Sequence, residues 1–422
     1  MSRWPALFAV YAAGDAAWNG SFSSLQRHLQ TQLRHLQAVI TNAHVAGAAQ
    51  LDALRGPSLR YVLDPEQRFA PLPLGETNTG DTTELVKFVD WANQTCPAEA
   101  FVLVLSGHGL AFQDERTREL LGSGRGAASQ MILRATNPFS IKTAAQSVLV
   151  DAVTAVAPGT RSILMDESDF LSVEEMRFAL EKTAALLGRP IDVVVFDACL
   201  MSNLEILVEI APMVRSVAGA IDEISGAGLN LAGAARTITT HISDPKRRNG
   251  ADGSFFTAGE MAKAFSTSYE ARWVTDSCVA IDLESSPFHE GVGLFTRFAG
   301  ELLDWLHEHP EAHAPTRRAI SHGSKQMFRY SSQSLCDLRA LRQALAAPLP
   351  DELVQTLDEA IEHFEKAVVH RSVGRQYADA LGISVFCPTD STQFATNRRD
   401  YRLLLMGQTT GWLPVLDLIY GT

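Results

Sequence analysis

Two side chains suited to nucleophilic chemistry stand at the ends of apolar runs. In "AFVLVLSGHG" His108 lies between Gly107 and Gly109, and in "IDVVVFDACL" Asp197 and Cys199 close the run. The thiolate is the reactive form of cysteine, and a nearby imidazole generates or holds it. The glycines beside His108 let a substrate main chain come close. "SNLEILVEIAPMV" turns helical directly after Cys199. A helix N-terminus there is expected to lower the thiol pKa further and to offer N–H groups. The N–H groups of Gly109 and Cys199 are the expected oxyanion hole. Taken singly, a buried cysteine is inert core and a histidine beside glycine is a turn residue. Pattern alone leaves both readings standing.

Strands must carry these residues. "ALFAVYAAGD", "SLRYVLD", "AFVLVLSGHG", "IDVVVFDACL" and "VRSVAGAIDE" read as strands, separated by helical stretches such as the leucine stripe at 25, 29, 33 and 36. Asp81 and Ser172, with Glu84 and Glu175 three residues on, read as helix N-caps. The alternation over 1–228 predicts an α/β fold with a mostly parallel sheet and helices on both faces. Such sheets bind ligands beyond their strands' carboxyl ends, where both reactive side chains fall. Residues 111–160 lack periodicity and read as a long irregular loop. Residues 229–422 read as a mainly helical region with two further strands, 277–283 and 380–387.

Composition narrows the function. The chain has 422 residues, 46% apolar and 20% charged, with a formal charge of −12. That is a folded chain, and its acidity excludes a general nucleic-acid binder. "MSRWPALFAVYAAGD" reads as a buried first strand rather than a signal peptide, and no apolar run is long enough to span a bilayer. A cytoplasmic protein without a membrane partner is expected. The cysteine count is five, with no zinc-like spacing, so free thiols are the simpler reading. Cys278 and Cys387 read as strand residues, Cys336 as helical, and His322 in "ISHGSK" as structural. "MDESD" offers Asp166, Glu167 and Asp169 as calcium ligands, although a polar turn before a helix explains them more simply. No cofactor is required.

"SGHG" together with "FDACLMSNLE" resembles the clostripain-like cysteine peptidases, family C11 of the caspase-like clan. "FAVYAAGD", "DFLSVEEMRFALE", "SCVAIDLE", "ALGISVFCP" and "GQTTGWLPVLDLIY" extend the resemblance over most of the chain. The resemblance implies a caspase-like α/β/α sandwich in which His108 is base and acid and Cys199 the nucleophile. It implies an endopeptidase that cleaves proteins after Arg, in preference to Lys, through a thioester. By the same resemblance Asp197 lines the pocket for the residue before the scissile bond (P1). A period of two puts 197 and 199 on one side, and a carboxylate there can pair with a guanidinium in bidentate fashion. Where relatives carry a second pocket acid, this chain has "AIDEISGAG", so Asp222 or Glu223 would serve.

Relatives in this clan are often activated by cleavage between the His and Cys segments. "GSGRGAAS" suits such a cut, at Arg125–Gly126, by the enzyme itself or by an upstream protease. A zymogen acting in an intracellular proteolytic or defence cascade follows by analogy. Two other readings stay open: a catalytically silent binding or scaffold module of the same fold, and a thiol amidase acting on a small molecule.

Overall fold

The computed structural model describes residues 3–14, 23–40, 45–52, 57–63, 70–107, 109, 111–112, 163–165, 170–222, 224, 228–244, 256–271, 276–327 and 334–421. Five parallel strands form the centre of one sheet: β1 (Trp4–Ala13), β2 (Val45–Asp52), β5 (Ala98–Ser106), β8 (Ile191–Asp197) and β9 (Val214–Gly219). On one edge β3 (Ser58–Val62) adds antiparallel to β2, and β4 (Leu72–Gly75) adds antiparallel to β3. On the other, β10 (Ser277–Asp282) adds antiparallel to β9, and β12 (Val368–Val373) adds antiparallel to β10. The nine-stranded order is β12-β10-β9-β8-β5-β1-β2-β3-β4. Two short ribbons stand apart, β6 (Ile163–Met165) with β7 (Phe170–Leu171) and β11 (Leu335–Asp337) with β13 (Ser384–Phe386).

Both faces of the central strands are buried, which is why β1, β5 and β8 read as mostly apolar runs. Leu7 and Tyr11 of β1, Leu103 of β5 and Phe196 of β8 enter one core; Phe8, Val104 and Val195 enter the other. The first core is closed by helices Thr82–Thr95, Val173–Leu187 and Leu204–Ile210 and by the C-terminal helices. Helices Ser23–Ile40, Leu231–Ser243 and Ala258–Ser268 close the second. The predicted caps form: Asp81 accepts from the Thr83 N–H, and Ser172 and Glu175 make a reciprocal capping box. None of the described helices is long and apolar enough to cross a membrane.

The structure departs from the sequence reading in several places. β2, "VAGAAQLD", had no strand signal because alanine and glycine dominate it. Small residues are needed there, since a Cβ on Gly47 would lie 2.5 Å from Ile40 and 2.8 Å from Leu63. Helix Asp351–Ala367 gives way directly to β12 at Val368, a strand absent from the two expected in 229–422. Cys336 lies in β11 and not in a helix. β10 and β12, both beyond the division drawn at residue 228, belong to the same sheet as the strands before it.

Candidate active site

β5 and β8 are parallel neighbours, and Ser106 is registered opposite Asp197. The segment after each strand therefore leaves the same edge of the sheet. The Gly107 N–H donates to the Asp197 carbonyl at 3.2 Å. Two residues later the Gly109 main chain lies against the Cys199 peptide. A Cβ on Gly109 would stand 2.4 Å from the Cys199 carbonyl oxygen and 2.9 Å from its nitrogen. Only glycine permits that approach. His108 itself lies outside the described residues.

Cys199 is not at a helix N-terminus. β8 ends at Asp197, residues 198–200 turn, and the next helix begins at Leu204 with Asn203 as its N-cap. Leu200 takes a left-handed φ of 62° to make that turn. Its N–H donates to the Asp222 carbonyl at 2.9 Å, and Asn203 Nδ2 donates to the Leu200 carbonyl at 2.7 Å. The turn is thus held from both sides. Cys199 Sγ is half-buried and accepts the Ile224 N–H at 3.3 Å, a bond that favours negative charge on sulfur.

Asp197 belongs to the face of β8 that looks toward helices Ser23–Ile40 and Leu231–Ser243, whereas Cys199 packs on the opposite core. Strand alternation does not run on into the turn. What unites the two residues is the segment after β9, whose Ile224 N–H meets the thiol and whose Leu229 N–H meets Asp197 Oδ1 at 2.7 Å. Ser106 Oγ donates to Asp197 Oδ2 at 2.7 Å. Asp197 is 6% exposed. Burial pushes its carboxyl up, and the Ser106 hydroxyl, the Leu229 N–H, nearby His28 and the Gln32 amide pull it back.

Sequence reasoning missed Ser106, Gln32 and Gly228. Gln32 Nε2 donates to the Leu229 carbonyl at 3.2 Å, so Gln32 and Asp197 hold the two sides of one residue's backbone. Gly228 has φ +61°, and a Cβ on it would come 2.4 Å from Gln32 Nε2 and 2.8 Å from Asp197 Oδ1. A signal for Gln32 existed: it is a polar residue set among Leu29, Leu33 and Leu36 on the buried stripe. Asp222 is fully buried, and its carboxylate accepts the Tyr377 hydroxyl. Glu223, Arg125, Gly126, Asp166, Glu167 and Asp169 lie outside the described residues. Among the described residues no group of three or more His, Cys, Asp or Glu assembles as a metal site.

No curated protein matches the chain in sequence. Solved structures match in fold. An inactive zymogen C11 protease from Parabacteroides distasonis is 15% identical with a TM-score of 0.59, over 97% of this chain and 99% of that one. A secreted C11 cysteine protease from Bacteroides thetaiotaomicron, iotapain, is 10% identical with a TM-score of 0.60, over 97% and 100%. A Bacteroides thetaiotaomicron C11 protease in complex with an irreversible peptide inhibitor is 14% identical with a TM-score of 0.54, over 98% and 99%. These likenesses show the caspase-like fold. The sequence model of the clostripain family matches residues 152–412, which include Cys199 but not His108. With more than half of its length matched, the chain belongs to the clostripain family and is a cysteine-type peptidase.

Proposed function

We propose that the chain is an endopeptidase that cleaves proteins after Arg, in preference to Lys, with Cys199 as nucleophile and His108 as base and acid. The observation that carries the reading is the contact of the Gly109 main chain with the Cys199 peptide. It brings the residue that follows His108 in sequence against the turn that holds the thiol.

In the first step the Cys199 proton passes to His108 and the sulfur attacks the scissile carbonyl carbon. The oxyanion is received by the N–H groups of Gly109 and Cys199. The leaving amine takes the proton back from His108, and a thioester remains. His108 then activates water, and hydrolysis frees the acid and the thiol. Asp197 receives the substrate guanidinium, which replaces the Leu229 N–H now on its carboxylate.

That Leu229 contact fits a latent form, and the similar Parabacteroides distasonis structure is an inactive zymogen. We read the chain as a zymogen cut at Arg125–Gly126. The test is intact-mass mapping of purified protein alongside Cys199→Ala, with an Arg-P1 fluorogenic peptide as reporter. The parent is expected to turn the peptide over, and Cys199→Ala to fold and lose all turnover. Equal turnover by both proteins would refute the assignment.

A further inference from the structure

Just beyond β9 the chain carries a fully buried acid, Asp222, that the proposed reaction does not use. Its groups are bonded on several sides. Its N–H and that of Ile221 donate to the Ser277 hydroxyl at 3.3 and 3.1 Å. Its carbonyl accepts the Leu200 N–H at 2.9 Å. Two residues earlier the Ala220 carbonyl accepts the Ser202 N–H, also at 2.9 Å. Its carboxylate accepts the Tyr377 hydroxyl. A buried carboxylate must be bonded, so the hydroxyl fixes where Asp222 sits.

Ser277 and Tyr377 belong to one corner of the second half of the chain. Ser277 opens β10 and is registered opposite Val373 of β12. The next residue, Gly374, donates its N–H to the Asp276 carbonyl at 2.8 Å, and the Tyr377 N–H donates to the Gly374 carbonyl at 3.0 Å. Both side chains are fully buried. The two hydroxyls that hold Asp222 are therefore fixed relative to each other by the strand pair and the turn after it.

From there the segment meets the reactive turn at two points. Leu200 directly follows Cys199 and takes a left-handed φ of 62°, which a residue with a branched side chain holds only where its surroundings impose it. The Asp222 carbonyl is bonded to the N–H of that residue. Two residues past Asp222, the Ile224 N–H reaches Cys199 Sγ at 3.3 Å. One short stretch thus holds both the peptide after the thiol and the donor on its sulfur.

We propose that Tyr377 and Ser277 are positioning residues of the peptidase reaction. They act through Asp222, holding the segment after β9 so that the Cys199 turn and its Ile224 donor keep their reactive geometry. Asp222 is then the hub of a brace and not a wall of the P1 pocket. The inference rests on Cys199 being the nucleophile. It does not depend on P1 preference, on His108 or on an activating cut.

The experiment compares the full-length parent with Tyr377→Phe, Ser277→Ala and Asp222→Asn, with Cys199→Ala alongside. Tyr377→Phe removes one hydroxyl and keeps the ring in the core. The first readout is the rate of Cys199 alkylation by iodoacetamide against pH, followed by peptide mass, which needs neither substrate nor cut. A donor on sulfur favours the thiolate, so Tyr377→Phe and Ser277→Ala should each raise the midpoint by about 1 pH unit. Asp222→Asn keeps an acceptor for the Tyr377 hydroxyl and should stay near the parent. The second readout is turnover of an Arg-P1 peptide: in the two brace variants kcat should fall on the order of tenfold with KM unchanged. The two hydroxyls come from different elements, so either variant decides alone if the other fails to fold. Parent-like alkylation and kinetics, with only a lower thermal midpoint, would overturn the proposal. A raised KM at unchanged kcat in Asp222→Asn would return the acid to the pocket and overturn it as well. Equal turnover by Cys199→Ala and the parent is a separate failure, that of the nucleophile itself, and the brace would fall with it.

Discussion

A carboxylate at the end of an apolar strand must be hydrogen-bonded or lose its charge. Asp197 is hydrogen-bonded, by the Ser106 hydroxyl on one oxygen and the Leu229 N–H on the other. Asparagine keeps the shape and an acceptor but not the charge. Asp197→Asn should therefore fold and lose on the order of 100-fold in kcat/KM on Arg-P1 peptides, the ~3 kcal/mol cost of stripping one partner from a buried ion pair. Peptides with neutral P1 residues should change little. Equal losses on both substrate classes would remove Asp197 from the pocket.

Glu205 offers a pH test at the same scale. It is fully buried, and its Oε1 accepts the Phe386 N–H. Burial pushes its carboxyl from 4.5 up to about 7, against the pull of the Phe386 N–H, its own N–H and the Tyr401 hydroxyl. A folded pKa above the unfolded one means that the fold prefers the protonated acid. Its contribution is whole below about pH 4.5 and is lost as pH rises through 7, on the order of 3 kcal/mol in all. Glu205→Gln should thus gain in thermal midpoint over the parent as pH goes from 5 to 8. A difference independent of pH would contradict the buried acid.

At the scale of elements, two loops meet because their strands are neighbours. The Gly109 contact with Cys199 makes a sharp prediction. Gly109→Ala must push one main chain off the other by a large fraction of an ångström. Displacements of about 1 Å at a reacting group cost on the order of 100-fold in rate. We expect such a loss in kcat/KM with about 1–3 kcal/mol of destabilisation. Gly293 in helix Ser286–Glu308 is the control, for its Cβ would meet nothing within 4 Å. Gly293→Ala should stabilise by about 0.5–1 kcal/mol with unchanged activity. Normal kinetics in Gly109→Ala would show that the contact does not position the site.

The element scale is also where the sequence was most and least legible. β5 and β8 announce themselves because both faces are buried and their central residues, 101–105 and 193–196, are all apolar. The caps at Asp81 and Ser172 are legible because their chemistry is local. β2 was hidden because close helix packing demands alanine and glycine, which carry no strand preference. Residues 198–200 were read as the end of the strand, with a helix following almost at once, because the apolar pattern runs on through them. In fact they turn, and the turn is held by Asp222 and Asn203.

The whole molecule closes only with its second half. β10 completes the sheet beside β9, and the Ser277 hydroxyl accepts the Ile221 N–H at 3.1 Å, next to the segment that covers the site. Leu7 near the N-terminus and Tyr420 near the C-terminus share one core. Residues 1–228 alone would expose one face of β8 and leave the β9 edge unpaired. We expect that fragment to be insoluble or to bind ANS without near-ultraviolet circular dichroism. A cooperative thermal transition in the fragment would establish an independent domain.

The sequence by itself determined which residues could react and which strands carry them. An apolar run, a glycine pair and a cap residue each act over a few positions, so each is written locally. Tertiary structure alone decided what those residues meet. Gln32 reaches Leu229, and the Ile224 N–H meets Cys199. No local pattern encodes these contacts, because they arise from strand order and the packing of distant elements. The burial of Asp197 is of the same kind: its type was legible at the strand's end, and its partners were not.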